Sequence, residues 1–144
     1  MKKYLCLHYI LLGMLLFVSG CSGADLWDSM PAGIKSFIDL YYPNSEINSY
    51  AKGKDSYSVR LANGPGFEFN GDQHWTYING YGLPLKQILV YDQTPGPLYD
   101  YLETIGAAAG VFTLARDERE YRLNLLQDSL VYTISTEQVR TVGF

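Results

Sequence analysis

Apolar positions along the chain follow two rhythms. Behind Pro31, the residues Ile34, Phe37, Ile38 and Tyr41 are spaced three and four apart, the one-sided stripe of an amphipathic helix. Proline suits a first helical turn, where its missing N–H is not needed. Pro43 stops the helix and biases Tyr42 away from helical angles. The rhythm then shortens to two, in Tyr57-Ser58-Val59-Arg60-Leu61, Phe67-Glu68-Phe69 and His74-Trp75-Thr76-Tyr77-Ile78. Period two predicts strands with one buried face. Gly53, Asn63-Gly64-Pro65-Gly66, Asn70-Gly71-Asp72 and Asn79-Gly80 separate these runs as turns, since Asn and Gly tolerate positive φ. The predicted unit is a helix followed by an antiparallel meander.

The unit occurs twice. At an offset of 64 residues and without a gap, Pro31 aligns with Pro95, Ile34 with Leu98, Phe37 with Tyr101, Ile38 with Leu102, Tyr41 with Ile105, Ile47 with Val111, Tyr57 with Tyr121, Val59 with Leu123 and Leu61 with Leu125. The second unit predicts strands over Val111 to Arg116, Tyr121 to Leu125 and Leu130 to Ile134, with Gly106 and residues 107–110 stopping its helix. Its turn at Gln127-Asp128-Ser129 has no glycine, so its pairing register is less firmly specified. Two such units most simply share one continuous sheet covered by both helices on one face, leaving the other face open. The predicted class is α+β: duplicated helix plus antiparallel β-meander units, about residues 30–82 and 94–144, in one domain over 30–144.

The first twenty residues follow a different rule. Lys2 and Lys3 give a positive start, Tyr4 to Val18 is almost unbroken apolar, and Val18-Ser19-Gly20-Cys21 supplies small residues before a cysteine. This is the layout of a secretory signal, and the apolar run is short of the roughly twenty residues that a membrane span needs. The last four residues resemble a lipobox, with valine at the position where leucine is commoner. They imply a signal peptide over 1–20, lipid attachment at Cys21 and a tether over 21–29. Cys6 leaves with the leader and Cys21 is modified, so the mature chain can form no intramolecular disulfide. Acyl chains contributing about 0.8 kcal/mol per buried methylene hold such a domain on a membrane. Ser22 favours the outer membrane by the sorting rule of enteric bacteria. The expected location is the cell envelope, lipid-anchored, facing the periplasm or the cell surface.

Charge narrows the partners. The chain carries a net −4, and without its leader nine basic residues stand against fifteen acidic ones, a net −6. No basic stripe is present, which argues against nucleic acid. Thirteen tyrosines suit strand packing and, secondarily, binding surfaces. His74 is the sole histidine after the leader. That excludes a two-histidine zinc site and leaves one plausible neutral-pH base. A nucleophile elbow, a HExxH helix, a CxxC pair and a phosphate loop are all missing from the sequence. Asn70, Asp72 and His74 read as a solvated turn, and Asp117-Glu118 with Glu120 among three arginines reads as a mixed-charge loop. Neither a metal nor another cofactor is predicted, and the chain is not expected to be an enzyme.

Met30-Pro31 with Ile34, Phe37, Ile38 and Tyr42-Pro43, then Tyr57-Ser58-Val59-Arg60-Leu61, Phe67-Glu68-Phe69 and Trp75, resembles the PepSY-like, beta-lactamase-inhibitor-protein-like (BLIP-like) domains of exported Bacteroidetes proteins. The second unit departs from the pattern, with no Tyr-Pro helix end and no tryptophan after its last hairpin. The resemblance implies a duplicated helix-and-meander sheet whose exposed side is similar to the surface that such inhibitors use. Residues alternating opposite to the apparent core set, Ser58, Arg60, Glu68, Arg122 and Asn124, are expected on that side. Trp75, Tyr77 and Tyr132 are assignable to either face. The candidate binding face is Arg60, Glu68, Trp75, Arg122 and Asn124, since Arg and Trp are favoured interface anchors. The function expected is a non-catalytic envelope lipoprotein that holds a protein or peptide on this face. The alternative is a proteinaceous inhibitor of an envelope hydrolase, a protease or a beta-lactamase, which the family resemblance alone supports.

Overall fold

The computed structural model describes residues 23–143, so the leader and Cys21 lie outside the described residues. The chain enters through helix α1 (Gly23–Ser29). Here the structure corrects the expected tether over 21–29: Gly23–Ser29 are helical, and Leu26 and Trp27 pack against the core. Two large apolar residues in a seven-residue stretch are too few to display a period. Helix α2 (Ala32–Tyr41) follows, burying Ile34, Ile38 and Tyr41. Pro31 stands just ahead of it with extended ψ, and the side chain of Gln73 accepts a hydrogen bond from the Gly33 N–H at 3.0 Å, satisfying one of the helix's free donors.

Four strands then form a meander: β1 (Ile47–Lys52), β2 (Ser56–Leu61), β3 (Gly66–Asn70) and β4 (Trp75–Asn79). Helices α3 (Gln87–Gln93) and α4 (Gly96–Thr104) cross to the second meander, β5 (Thr113–Arg116), β6 (Glu120–Asn124), β7 (Ser129–Thr133) and β8 (Gln138–Val142). All eight strands make one antiparallel sheet in sequence order, and the class is α+β. The seam between the halves is β4 against β5, with Tyr77 opposite Ala115, Ile78 opposite Leu114 and Asn79 opposite Thr113. The glycine-poor turn of the second unit is one residue shorter than its counterpart. Arg60 therefore pairs with Gly66, and its repeat mate Asn124 pairs with Ser129.

The period-two pattern meets the period-three-and-four pattern in a single layer. A row of Val59, Phe67, Ile78, Leu114, Leu123 and Leu130 runs cross-strand from β2 to β7. It packs under Ile34, Ile38, Leu89, Leu98 and Leu102 of the helices. Each of these side chains is essentially removed from water, a gain of about 1.5–3 kcal/mol apiece by area burial. Phe37 adds edge-on ring contacts to Phe67 and Phe69 at 5.9 and 5.6 Å. Beyond the six predicted strands stand β1 and β8, the two sheet edges, and beyond the two predicted helices stand α1 and α3. Gly80, at the exit from β4, has no room for a side chain: a Cβ there would collide with the Leu83 carbonyl oxygen.

Candidate functional site

Because the helices take one side, the alternate residues of every strand form a second, outer face. One cross-strand row on it reads Ser58, Glu68, Tyr77, Ala115, Arg122, Val131 and Arg140. The next reads Arg60, Gly66, Asn79, Thr113, Asn124 and Ser129. Ser58, Glu68, Arg122, Asn124 and Arg140 are exposed, and Arg60 is half-buried. Arg60, Glu68, Arg122 and Asn124 thus lie on the outer face.

Trp75 does not. It is 2% exposed and sits on the helix side, because an irregularity in the β3–β4 register between Glu68 and Phe69 sets Trp75 opposite the buried Phe69. Its indole N–H donates to Gln93 Oε1 at 2.6 Å, and Gln93 Nε2 donates to the Tyr41 hydroxyl at 2.6 Å. The Arg116 guanidinium lies 4.1 Å from the indole ring and donates through Nε to the Trp75 carbonyl at 2.9 Å. Trp75 therefore joins β4 to α2, α3 and β5. Tyr132 is likewise on the core side and Tyr77 is on the outer face.

Arg60 has a partner that the sequence pattern did not foretell. The loop after β4 folds back so that the Tyr81 ring covers Gly66, and the Arg60 guanidinium stacks on that ring at 3.5 Å. A Cβ on Gly66 would come within 2.9 Å of the Tyr81 ring, so glycine at this strand position makes room for the aromatic. Beside the stack, burial raises the Tyr77 phenol above its ordinary value, with the Glu68 carboxylate adding to the effect. In the second half, Arg122 forms an ion pair with Glu120, and Ser129 donates to Asn124 Oδ1 at 2.9 Å. Val131 is 7% exposed on this face, flanked by Arg122 and Arg140. Sequence reading missed Tyr81 and Arg140. Tyr81 lies in a loop with no period, and Arg140 lies on an edge strand too polar to show one.

The face is shallow: a groove of about 410 Å³ runs past Ser56, Ser58, Glu68 and Thr76 near β1. Its strand residues include Arg60, Arg122 and Arg140 against Glu68 and Glu120, a slight basic balance on a domain of net acidic charge. Elsewhere, Asn70 Oδ1 accepts the N–H groups of Asp72 and His74 at 3.1 and 2.9 Å, which commits it to the turn. Asp117 Oδ1 accepts those of Arg119 and Glu120 at 2.7 and 2.9 Å. Those two donors, Arg119 first, hold the Asp117 carboxyl below the usual range. Among the described residues, no group of three or more His, Cys, Asp or Glu side chains is placed to hold a metal ion.

No family model matches the chain. No curated protein matches it either. Solved structures do resemble it. A periplasmic protein of the DUF2874 family from Bacteroides vulgatus superposes with a TM-score of 0.67 at 20% identity, over 81% of this chain and 93% of that one. A periplasmic protein from Bacteroides thetaiotaomicron, whose name proposes calcium regulation, gives 0.67 at 19% identity over 81% and 93%. A second Bacteroides vulgatus protein, of unknown function, gives 0.63 at 17% identity over 80% and 93%. At such identities the likeness shows a shared fold.

Proposed function

We propose that this protein is a non-catalytic lipoprotein of the bacterial cell envelope that binds a protein or peptide on the outer face of its sheet. The observation that carries the reading is the one-sidedness of the fold. Among the described residues, four helices cover one face of an eight-stranded sheet, and the other presents Ser58, Glu68, Arg122, Asn124 and Arg140 to solvent across β2 to β8. Antiparallel sheets tolerate such a wet face, and the exposed arginines Arg122 and Arg140, cross-strand neighbours of Val131, are a residue type that interfaces use as anchors. The signal-like first twenty residues, Cys21 and the periplasmic proteins that share the fold support the envelope location. The likeness of the outer face to BLIP-like domains remains part of this proposal, as does the absence of catalysis.

Photo-crosslinking amino acids placed at Glu68, Arg122 and Asn124, compared with Asp39 and Asp100 on the helix side, test the reading in living cells. A discrete adduct is expected from the outer-face positions and not from the helical ones. Adducts from the helical side alone, or none from the sheet, would sink the proposal. Metabolic labelling with a fatty-acid analogue, lost in Cys21→Ser, tests the lipid anchor.

A further inference from the structure

The two ends of the sheet differ in chemistry, and the described chain enters at one of them. One end gathers the α2–β1 connection (residues 42–46), the β2–β3 turn (62–65), the loop into α3 (80–86) and the β6–β7 turn (125–128). Among these twenty residues only Glu46, Lys86 and Asp128 are charged. The opposite end gathers the turns 53–55, 71–74, 117–119 and 134–137, where seven of fourteen residues are charged. The exposed apolar side chains of these turns divide the same way. Leu126 is 78% exposed, Leu83 64% and Tyr81 50%, all at the charge-poor end. Leu40, at 69%, stands in the last turn of α2, beside Tyr41, whose carbonyl oxygen accepts Lys86 Nζ of the 80–86 loop at 2.7 Å. The turns of the charged end expose one large hydrophobic residue, Ile134. Soluble surfaces carry isolated apolar residues, whereas several at one end of a domain mark a contact surface.

Helix α1 supplies the second observation. Gly23 lies against Glu46 and the Ile47 carbonyl, so the chain enters at the charge-poor end, two positions after Cys21. Two residues reach about 7 Å at full extension. A lipid on Cys21 would leave the domain no stand-off, and the surface within reach of the bilayer is the one around Gly23.

We propose that the charge-poor end is a membrane-contact surface, so that the domain stands end-on on a phospholipid bilayer with the 80–86 and 125–128 loops at the headgroup level. Tyr81 suits that depth, since its ring is apolar and its hydroxyl stays wet. Strands of five residues rise about 17 Å, which lifts the charged turns clear of the headgroups. Both sheet faces then stand sideways to the bilayer, and the outer face stays open to a partner. The inference rests on the assignment of Cys21 as the lipid-bearing residue.

The test uses the full-length lipidated protein reconstituted in phosphatidylethanolamine and phosphatidylglycerol vesicles, with Leu126→Cys or Ser135→Cys carrying an environment-sensitive dye. Both positions are exposed, and a lipidated Cys21 has no free thiol to compete for label. Quenching by nitroxide-bearing lipid is expected to be several-fold stronger at 126 than at 135, with a blue-shifted emission at 126 alone. Equal quenching at the two sites in protein whose intact mass includes the lipid overturns the end-on seating while leaving the anchor standing. An intact mass without the lipid overturns the anchor itself.

Discussion

Trp75 separates a binding residue from a structural one, and its removal can be sized from the structure. The side chain is 2% exposed, donates to Gln93 at 2.6 Å and supports Arg116 at 4.1 Å. Truncating a buried tryptophan to alanine costs about 3–5 kcal/mol. For the 121 described residues the unfolding entropy is about 0.25 kcal/mol per kelvin, so about 4 kcal/mol lowers Tm by roughly 16 °C. Trp75→Phe keeps most of the ring and removes the N–H, leaving Gln93 Oε1 without its donor. That loss is about 1–2 kcal/mol, or roughly 4–8 °C. Arg122→Ala, which breaks only an exposed ion pair with Glu120, should stay within about 0.5 kcal/mol. The assay is thermal and urea unfolding followed by circular dichroism. Adding Gln93→Leu to Trp75→Phe should cost less than the sum of the two, because the partners of one hydrogen bond are removed together. A Trp75→Ala protein melting within about 3 °C of its parent would refute the placement of this residue in the core and return it to the candidate binding set.

Other outcomes follow from single contacts. Gly80→Ala forces a Cβ onto the Leu83 carbonyl and should cost about 3 kcal/mol, the upper end of ordinary overpacking, read as a lowered urea midpoint; an unchanged midpoint would mean that the 80–86 loop is not fixed. Asn70→Ala strips the acceptor from two turn N–H groups and should cost about 1–2 kcal/mol, whereas Asn70→Asp, which retains an acceptor, should recover most of it. Burial raises the Tyr41 and Tyr42 phenols from 10.0, against the smaller opposing effects of the bonds from Gln93 and Lys86. A raised folded pKa contributes stability that is complete below the unfolded value of about 10 and lost as pH rises through the folded one. The urea midpoint should therefore fall above pH 10 as tyrosinate absorbance appears, with a shallower fall in Tyr42→Phe; tyrosines that all titrate near 10 without loss of stability would contradict this. Asp117 has the opposite sign: its lowered pKa favours the fold above the unfolded value and the gain is lost as pH falls through the folded one, which a carboxyl titration by NMR would display as a midpoint below the ordinary aspartate value of 3.8.

What could be read from the chain alone depended on how many neighbours an element has. The strands β2, β3, β6 and β7 lie inside the sheet and alternate because one of their faces is dry, so Tyr57 to Leu61 and Tyr121 to Leu125 announced themselves. The edge strands β1 and β8 pair on one side only, and their burial is confined to Ile47, Tyr50 and Val139. A sequence such as Gln138-Val139-Arg140-Thr141-Val142 has too little to bury for a period to form. Helix α3 escaped for a related reason. Seven residues long, it buries Leu89 and Val90 and exposes Ile88 and Tyr91, which reads as an apolar run and not as a stripe. Alternation also explains both the success and the failure at the candidate site. It placed Arg60, Glu68, Arg122 and Asn124 on one face correctly, because each sits in a regular ladder. It failed at Trp75, where the register shifts by one residue beside Phe69 and parity stops being informative.

The same bulge bears on how the two halves came to differ while keeping one sheet. In the first half it turns Trp75 inward, and the indole finds Gln93 from the connecting helix α3 and Arg116 from the second half. Among the described residues, the second half has no equivalent tryptophan and no helix packed after its meander, and β8 packs on the core through Val139. One half thus holds the seam, with polar contacts across α2, α3 and β5, and the other leaves the exposed Arg122 and Arg140 on an outer face with few structural duties. Arg60, by contrast, is held on Tyr81 over Gly66, and its loss would disturb the loop as well as the face. If the outer face binds a partner, substitutions at Arg122 and Arg140 should weaken binding at unchanged stability, whereas Arg60→Ala should shift both. A binding defect confined to Arg60→Ala, accompanied by a lowered melting temperature, would trace recognition to the 80–86 loop and not to the sheet.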